Sequence, residues 1–118
     1  MSKRIQRVNE LIKRELSHLL LKEIDWDLGG RFPEDILVTV TRVITSDNLK
    51  EAKVYISVMP EEESGRILQI LKKKVYYLQQ KINKRLKMRP VPRINFREEK
   101  ETGEAGRIEE LLEKIKKN

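Results

Sequence analysis

Cysteine is absent from this chain of 118 residues, which removes disulfides, thiolate metal sites and thiol nucleophiles together. A thiol-free chain suits a reducing compartment, so the cytoplasm is the expected setting. Histidine occurs once, at His18, with neither a cysteine nor an evident serine partner, and no metal-ligand spacing is present. No run approaches the roughly 18 uninterrupted apolar residues of a membrane span. The opening Met1-Ser2-Lys3-Arg4-Ile5-Gln6-Arg7 lacks the apolar stretch of a signal peptide. Gly29-Gly30 is not followed by Lys-Ser/Thr and comes after a helical pattern, so it is no phosphate loop. Acid pairs such as Asp25/Asp27 and Glu98/Glu99 fall in charged loops and read as solvated surface. These absences favour a binding protein over an enzyme, with no cofactor and no metal.

Aromatic residues are also scarce, at 5%, so the core has to be compact and aliphatic. The chain has room for one core. The absence that says most concerns acids. Residues 64–97 hold eleven Lys or Arg and no Asp or Glu, whereas the other three segments mix the signs: six bases with five acids over 1–30, four with seven over 31–63, five with seven over 98–118. The net charge of +7 is therefore the property of one segment. High Lys plus Glu content also marks thermophile surfaces, but those intersperse the signs. Unpaired bases repel one another, and a phosphate backbone is their natural counterpart.

Ile5, Val8, Leu11, Ile12, Leu16, Leu19, Leu20 and Ile24 recur at helical spacing, predicting an amphipathic helix over roughly 3–24 with Ser2 as N-cap. Its opposite face carries Lys3, Arg7, Arg14 and His18, interrupted by Glu10; a solvated outer face is the favoured reading of that line over a binding face. Residues 25–33, with Gly29, Gly30 and Pro33, form a loop in which Trp26 and Phe32 are expected to fold back as a lid, although an exposed Trp also stacks on bases. Residues 36–44 are rich in β-branched side chains and read as a strand, turning at Thr45-Ser46-Asp47-Asn48-Leu49. The next strand, 51–58, alternates Ala52, Val54, Ile56 and Val58 on one face, so the two should form a hairpin.

After Met59-Pro60, Glu61, Glu62 and Glu63 are placed to open a long helix, where acids suit the dipole. Ile67, Leu68, Leu71, Val75, Leu78, Ile82 and Leu86 lie within about a 100° arc. Lys73, Lys74, Lys81, Lys84 and Lys87 point away from it, with Tyr76 and Tyr77 among them. Arg89-Pro90 should end this helix, since the residue before proline disfavours helical geometry. Residues 91–97 follow as an edge strand with Ile94 and Phe96 inward. Ile108, Leu111, Leu112 and Ile115 mark a short last helix beyond the charged connector 98–103. The result is a two-layer α+β domain over 1–97, with 98–118 as connector and C-terminal helix or tail.

The candidate RNA contacts are Lys72, Lys73, Lys74, Lys81, Lys84, Arg85, Lys87 and Arg89 for phosphates, Tyr76 or Tyr77 for stacking, and Arg4, Arg7 and Arg14 as an extension on the first helix. Arg85 borders the apolar stripe. A basic amphipathic helix also suits an anionic membrane, but this stripe lacks Trp and Phe and is the cover the sheet needs. A general RNA-binding or ribosomal protein, or an adaptor for an acidic protein, shares the same charge pattern.

Three stretches carry a family likeness. Residues 4–16 (RIQRVNELIKREL) resemble the opening helix of the ribosome-binding factor A family. Residues 38–43 (VTVTRV) with 52–58 (AKVYISV) resemble its strand pair, and 86–96 (LKMRPVPRINF) its approach to the third strand. The resemblance implies a type II KH-like fold, α-β-β-α-α-β, in a monomeric cytoplasmic factor. It further implies binding to the free small (30S) ribosomal subunit, a role in late 16S rRNA maturation and processing, growth in the cold, and release by an assembly GTPase. KH domains that bind nucleic acid place a Gly-x-x-Gly loop between two helices; this family typically has an Ala-x-Gly kink. Here that position falls near Lys74-Val75-Tyr76, and no glycine occurs between Gly65 and Gly103. The apolar stripe passes through without a phase break. A weak kink or none is therefore expected, with lysines supplying the phosphate contacts.

Overall fold

The computed structural model of the protein describes residues 3–22 and 36–100. Helix α1 runs Lys3–Lys22, β1 Leu37–Thr45, β2 Glu51–Met59, α2 Ser64–Lys73, α3 Val75–Arg85 and β3 Arg93–Glu98. The Ser2 cap, the Trp26/Phe32 lid and the last helix lie outside the described residues.

Alternation on β2 sets the architecture. Ala52, Val54, Ile56 and Val58 are buried in one row, and β2 is the middle strand of the order β1-β2-β3. β1 joins it antiparallel through the expected hairpin, and β3 joins it parallel, as an edge strand. The α2–α3 pair makes the crossover that a parallel neighbour requires. Ile94 and Phe96 face inward as expected. The strand begins at Arg93, two residues later than the sequence indicates, because Pro92 has no N–H to give a ladder; its side chain is buried instead.

β1 differs from simple alternation. Val40 pairs with Ile56 and Arg42 with Tyr55, so Thr41 is an extra residue in a bulge. The bulge brings Val40 and Val43, three apart, onto the same buried face. On the outer face it sets Arg42 over Tyr55, guanidinium carbon 4.0 Å from the ring centroid. Glu99 closes this stack, accepting from Arg42 Nε (3.0 Å) and Nη2 (3.2 Å) and from the Thr41 hydroxyl (2.9 Å). Tyr55 is buried for this reason, although it points away from the core.

The three helices cover the inner face. Ile12, Leu16 and Leu19 of α1, Ile67 and Leu71 of α2, and Leu78 and Ile82 of α3 are fully buried. Asn9 anchors α1 to the end of β1, its Oδ1 accepting from the Thr45 N–H (3.0 Å) and hydroxyl (2.5 Å). The glutamates 61–63 do not open α2; they form a separate 3-10 turn, and α2 begins at Ser64.

The long helix is not continuous. At Lys74 the backbone leaves helical geometry (φ −98°, ψ 7°). Its N–H still donates to the Ile70 carbonyl, and its own carbonyl accepts from the Leu78 N–H, both at 3.0 Å, so one residue ends α2 and begins α3. The kink position of the family is thus marked here by a one-residue interruption of helical geometry. The two halves have different neighbours: α2 packs on β2 and β3, α3 on α1 and β3. Nor does α3 reach Arg89-Pro90. Leu86 is already extended (φ −84°, ψ 133°), which starts the crossing to β3 while its side chain stays in the core.

Gln79 fastens α3 to the outer edge of β3. Its Nε2 donates to the Pro92 carbonyl (3.1 Å) and to Asn83 Oδ1 (3.0 Å), and its Oε1 accepts from the Ile94 N–H (2.9 Å). A side-chain amide thus pairs with strand-edge groups that would otherwise be open.

Leu71→Ala and Leu78→Ala, on either side of Lys74, should each cost about 2–5 kcal/mol in chemical denaturation. Tyr76→Ala should change stability by no more than about 0.5 kcal/mol. A loss below about 1 kcal/mol at either leucine would show that its helix is not held by the common core.

Candidate nucleic-acid interface

Because Leu78 and Ile82 commit one side of α3 to the core, its remaining surface is outward by geometry. Helical spacing then sorts the polar side chains. Gln79 and Asn83, four apart, lie on the flank facing β3; Lys81 and Arg85 lie on the flank facing α1. Tyr76, Tyr77 and Lys84 form an exposed crest, with Tyr76 74% and Tyr77 42% accessible. The Lys81 ammonium is 5.5 Å from the Tyr77 ring centroid, a contact that orients the ring and keeps the charge on the crest.

The crest separates two concavities. On the α1 side is a groove of about 410 Å³ lined by Arg4, Arg7 and Arg14 from α1 and by Arg85 and Lys87, over a floor of Val8, Leu11, Leu86 and Met88. Residues 70 and more positions apart in the chain thus share one site. Glu15 is the acid among the lining residues, and its carboxylate lies 3.9 Å from the Arg85 guanidinium. On the β3 side is a cup of about 430 Å³ lined by Gln79, Asn83, Lys84, Arg89, Pro90, Val91 and Arg93.

The sequence-selected residues distribute as follows. Arg4, Arg7, Arg14, Arg85 and Lys87 meet in the groove; Lys84 and Arg89 belong to the cup. Arg89 also braces the crossing, its Nη1 donating to the carbonyls of Leu86 (3.2 Å) and Met88 (2.7 Å). Lys72 and Lys73 are exposed at the end of α2, where they also complement the helix dipole, and Lys74 is half-buried at the break. These three line neither concavity. Arg93 belongs to the acid-free stretch but sits on β3, apart from the helical bases, while Asn83 and Gln79 carry no charge and escape a reading by charge. The spacing of the two amides on one helix flank is the signal that points to them.

Not every base is available to a partner. Arg42 is held bidentately by Glu99, and Arg66 lies 3.7 Å from Glu63. Among the described residues, no three His, Cys, Asp or Glu are grouped to hold a metal, and no helix is long and apolar enough to cross a membrane.

Comparison with known proteins gives a single answer. The model of the family described as ribosome-binding factor A matches residues 4–112. Ribosome-binding factor A of Thermodesulfovibrio yellowstonii is 37% identical over 98% of this chain and 92% of its own length. That of Chlamydia abortus is 34% identical over 98% and 93%. Among solved structures, the crystal structure of ribosome-binding factor A from Thermus thermophilus superposes with a TM-score of 0.63 at 26% identity, covering 80% of this chain and 94% of that one. A Thermus thermophilus homology model fitted into the cryo-EM map of a 30S complex reaches 0.58 at 27% identity, covering 75% and 88%.

Glu15→Gln tests the electrostatics of the groove. A half-buried ion pair at 3.9 Å should contribute no more than about 1 kcal/mol to stability. Removing the groove's carboxylate should tighten binding to a polyanion such as poly(U) in a filter-binding assay. Weaker binding would mean that Glu15 is needed to hold Arg85 in place.

Proposed function

We propose, from the premise that this chain belongs to the ribosome-binding factor A family, that it binds the free small ribosomal subunit and assists late maturation of 16S rRNA as a non-catalytic factor. The observation that carries this reading is the groove between α1 and α3, where five bases from distant parts of the chain converge over an apolar floor. Phosphates neutralise such bases with release of counterions, and the apolar floor with the tyrosine crest suits unstacked bases of single-stranded RNA. The Thermus thermophilus relative has been fitted into a map of its 30S complex, and the same partner is part of our reading for this chain. In this reading residues 1–97 carry the binding, a monomer acts in the cytoplasm, Lys72, Lys73 and Lys74 extend the contact along α2, and an assembly GTPase releases the factor. Action during growth in the cold belongs to the same proposal.

Sedimentation of cell lysate tests it. The protein should travel with free small subunits and be missing from polysomes; an even distribution over translating ribosomes would make it a general ribosomal component instead. The triple variant Arg7→Ala/Arg14→Ala/Lys87→Ala removes three exposed bases from the groove. It should lose co-sedimentation and flatten the log–log salt dependence of binding by about 0.7–0.9 for each phosphate contact removed, with its melting temperature unchanged. Full retention of subunit binding would reject the groove as the contact face.

A further inference from the structure

The cup on the other side of the crest has a composition of its own. Both donations of the Gln79 amide nitrogen are used, to Pro92 and Asn83, and its oxygen accepts the Ile94 N–H. Because Asn83 Oδ1 is the atom that accepts from Gln79, the amide end left to the cup is a donor. The charged groups around it are Lys84, Arg89 and Arg93, which are donors only, and the lining includes no carboxylate. Arg89 has its guanidinium positioned by two backbone carbonyls, and Gln79 holds the wall formed by the start of β3. The cup therefore offers hydrogen-bond donors and positive charge from a braced frame, with no carboxylate to hold a cation. Its chemical complement is an anion with several acceptor oxygens.

We infer that this cup is a second phosphate site, in which Asn83, Lys84 and Arg93 hold a phosphodiester of the RNA strand while Gln79 acts as the positioning residue. The inference rests on the rRNA-binding reading above and adds to it. One helix width, about 10 Å, separates the cup from the groove, so the strand crosses the α3 crest and is gripped on both sides, with Tyr76 and Tyr77 between the grips. This gives Arg93, which sits on β3 at the end of the acid-free stretch, the same role as the lysines of α3. It also explains why the flank of α3 is tied to the strand edge by an amide whose two donors are both used.

Two variants test the cup without touching the core. Arg93→Ala removes an exposed guanidinium. Asn83→Asp keeps the oxygen that accepts from Gln79 and replaces the donor end with a carboxylate. Binding to purified small subunits is measured for each across a salt titration. Arg93→Ala should weaken binding about tenfold and flatten the log–log slope by about 0.7–0.9; Asn83→Asp should weaken it at least as much with an unchanged melting temperature. The effects should add to that of the groove triple variant, since the sites lie on opposite flanks of α3 and share no partners. Wild-type affinity and slope in both cup variants, while the groove triple still fails to bind, would overturn the cup and leave the rRNA reading standing. Wild-type binding in all three would overturn both.

Discussion

Everything in this molecule follows from the need to bury one row of β2. Ala52, Val54, Ile56 and Val58 present an apolar strip in the middle of a three-stranded sheet, and only helices on that face can dry it. The two flanking strands extend the strip with Val40 and Val43 on one side and Ile94 and Phe96 on the other. Each helix answers with a narrow aliphatic stripe. A chain with so few aromatic residues has few large side chains to bridge gaps, so α1, α2 and α3 must all lie close. Once their stripes are committed inward, the bases of residues 64–97 have nowhere to go but outward. Charge segregation is thus a consequence of the burial pattern as well as a feature of composition.

That constraint also creates the concavities. Three helices on a small sheet cannot pack without furrows, and here both furrows beside α3 are lined by bases. α1 and the Leu86–Met88 crossing bound one; α3 and the start of β3 bound the other. Among the residues lining the two furrows Glu15 is the acid, and it lies near Arg85; Glu99 is tied to Arg42 on the far side of the sheet. The outer sheet face, with its Arg42–Tyr55 stack closed by Glu99, serves stability, whereas the α3 flanks keep their bases turned to solvent. Two kinds of arginine environment are thereby separated within one small domain.

The helix break at Lys74 shows where periodicity stops being informative. Leu71 and Leu78 are seven residues apart, nearly two full turns, so both face inward whether or not the axis changes direction between them. A stripe in phase reports azimuth; it does not report the direction of the axis. The bulge at Thr41 was closer to legible. Val40 and Val43 break strict alternation by one residue, which is the signature of an inserted position, yet a β-branched run of this kind also reads as a uniform strand. The early end of α3 left a fainter trace, since Leu86 continues the apolar stripe while its backbone is already extended.

The sequence by itself determined the order of elements, the hairpin, the edge position of β3, the inward rows and the family, because all of these rest on local periodicity, turn chemistry and ordered motifs. It also singled out the bases of α3, since an acid-free stretch is visible without a structure. Only the tertiary structure decided which bases act together. Arg7 and Arg14 join Lys87 because α1 and α3 pack side by side, and Arg93 joins Lys84 because Gln79 bonds to the edge of β3. Those meetings depend on contacts between residues far apart in the chain. Neither charge nor spacing along a single segment carries that information.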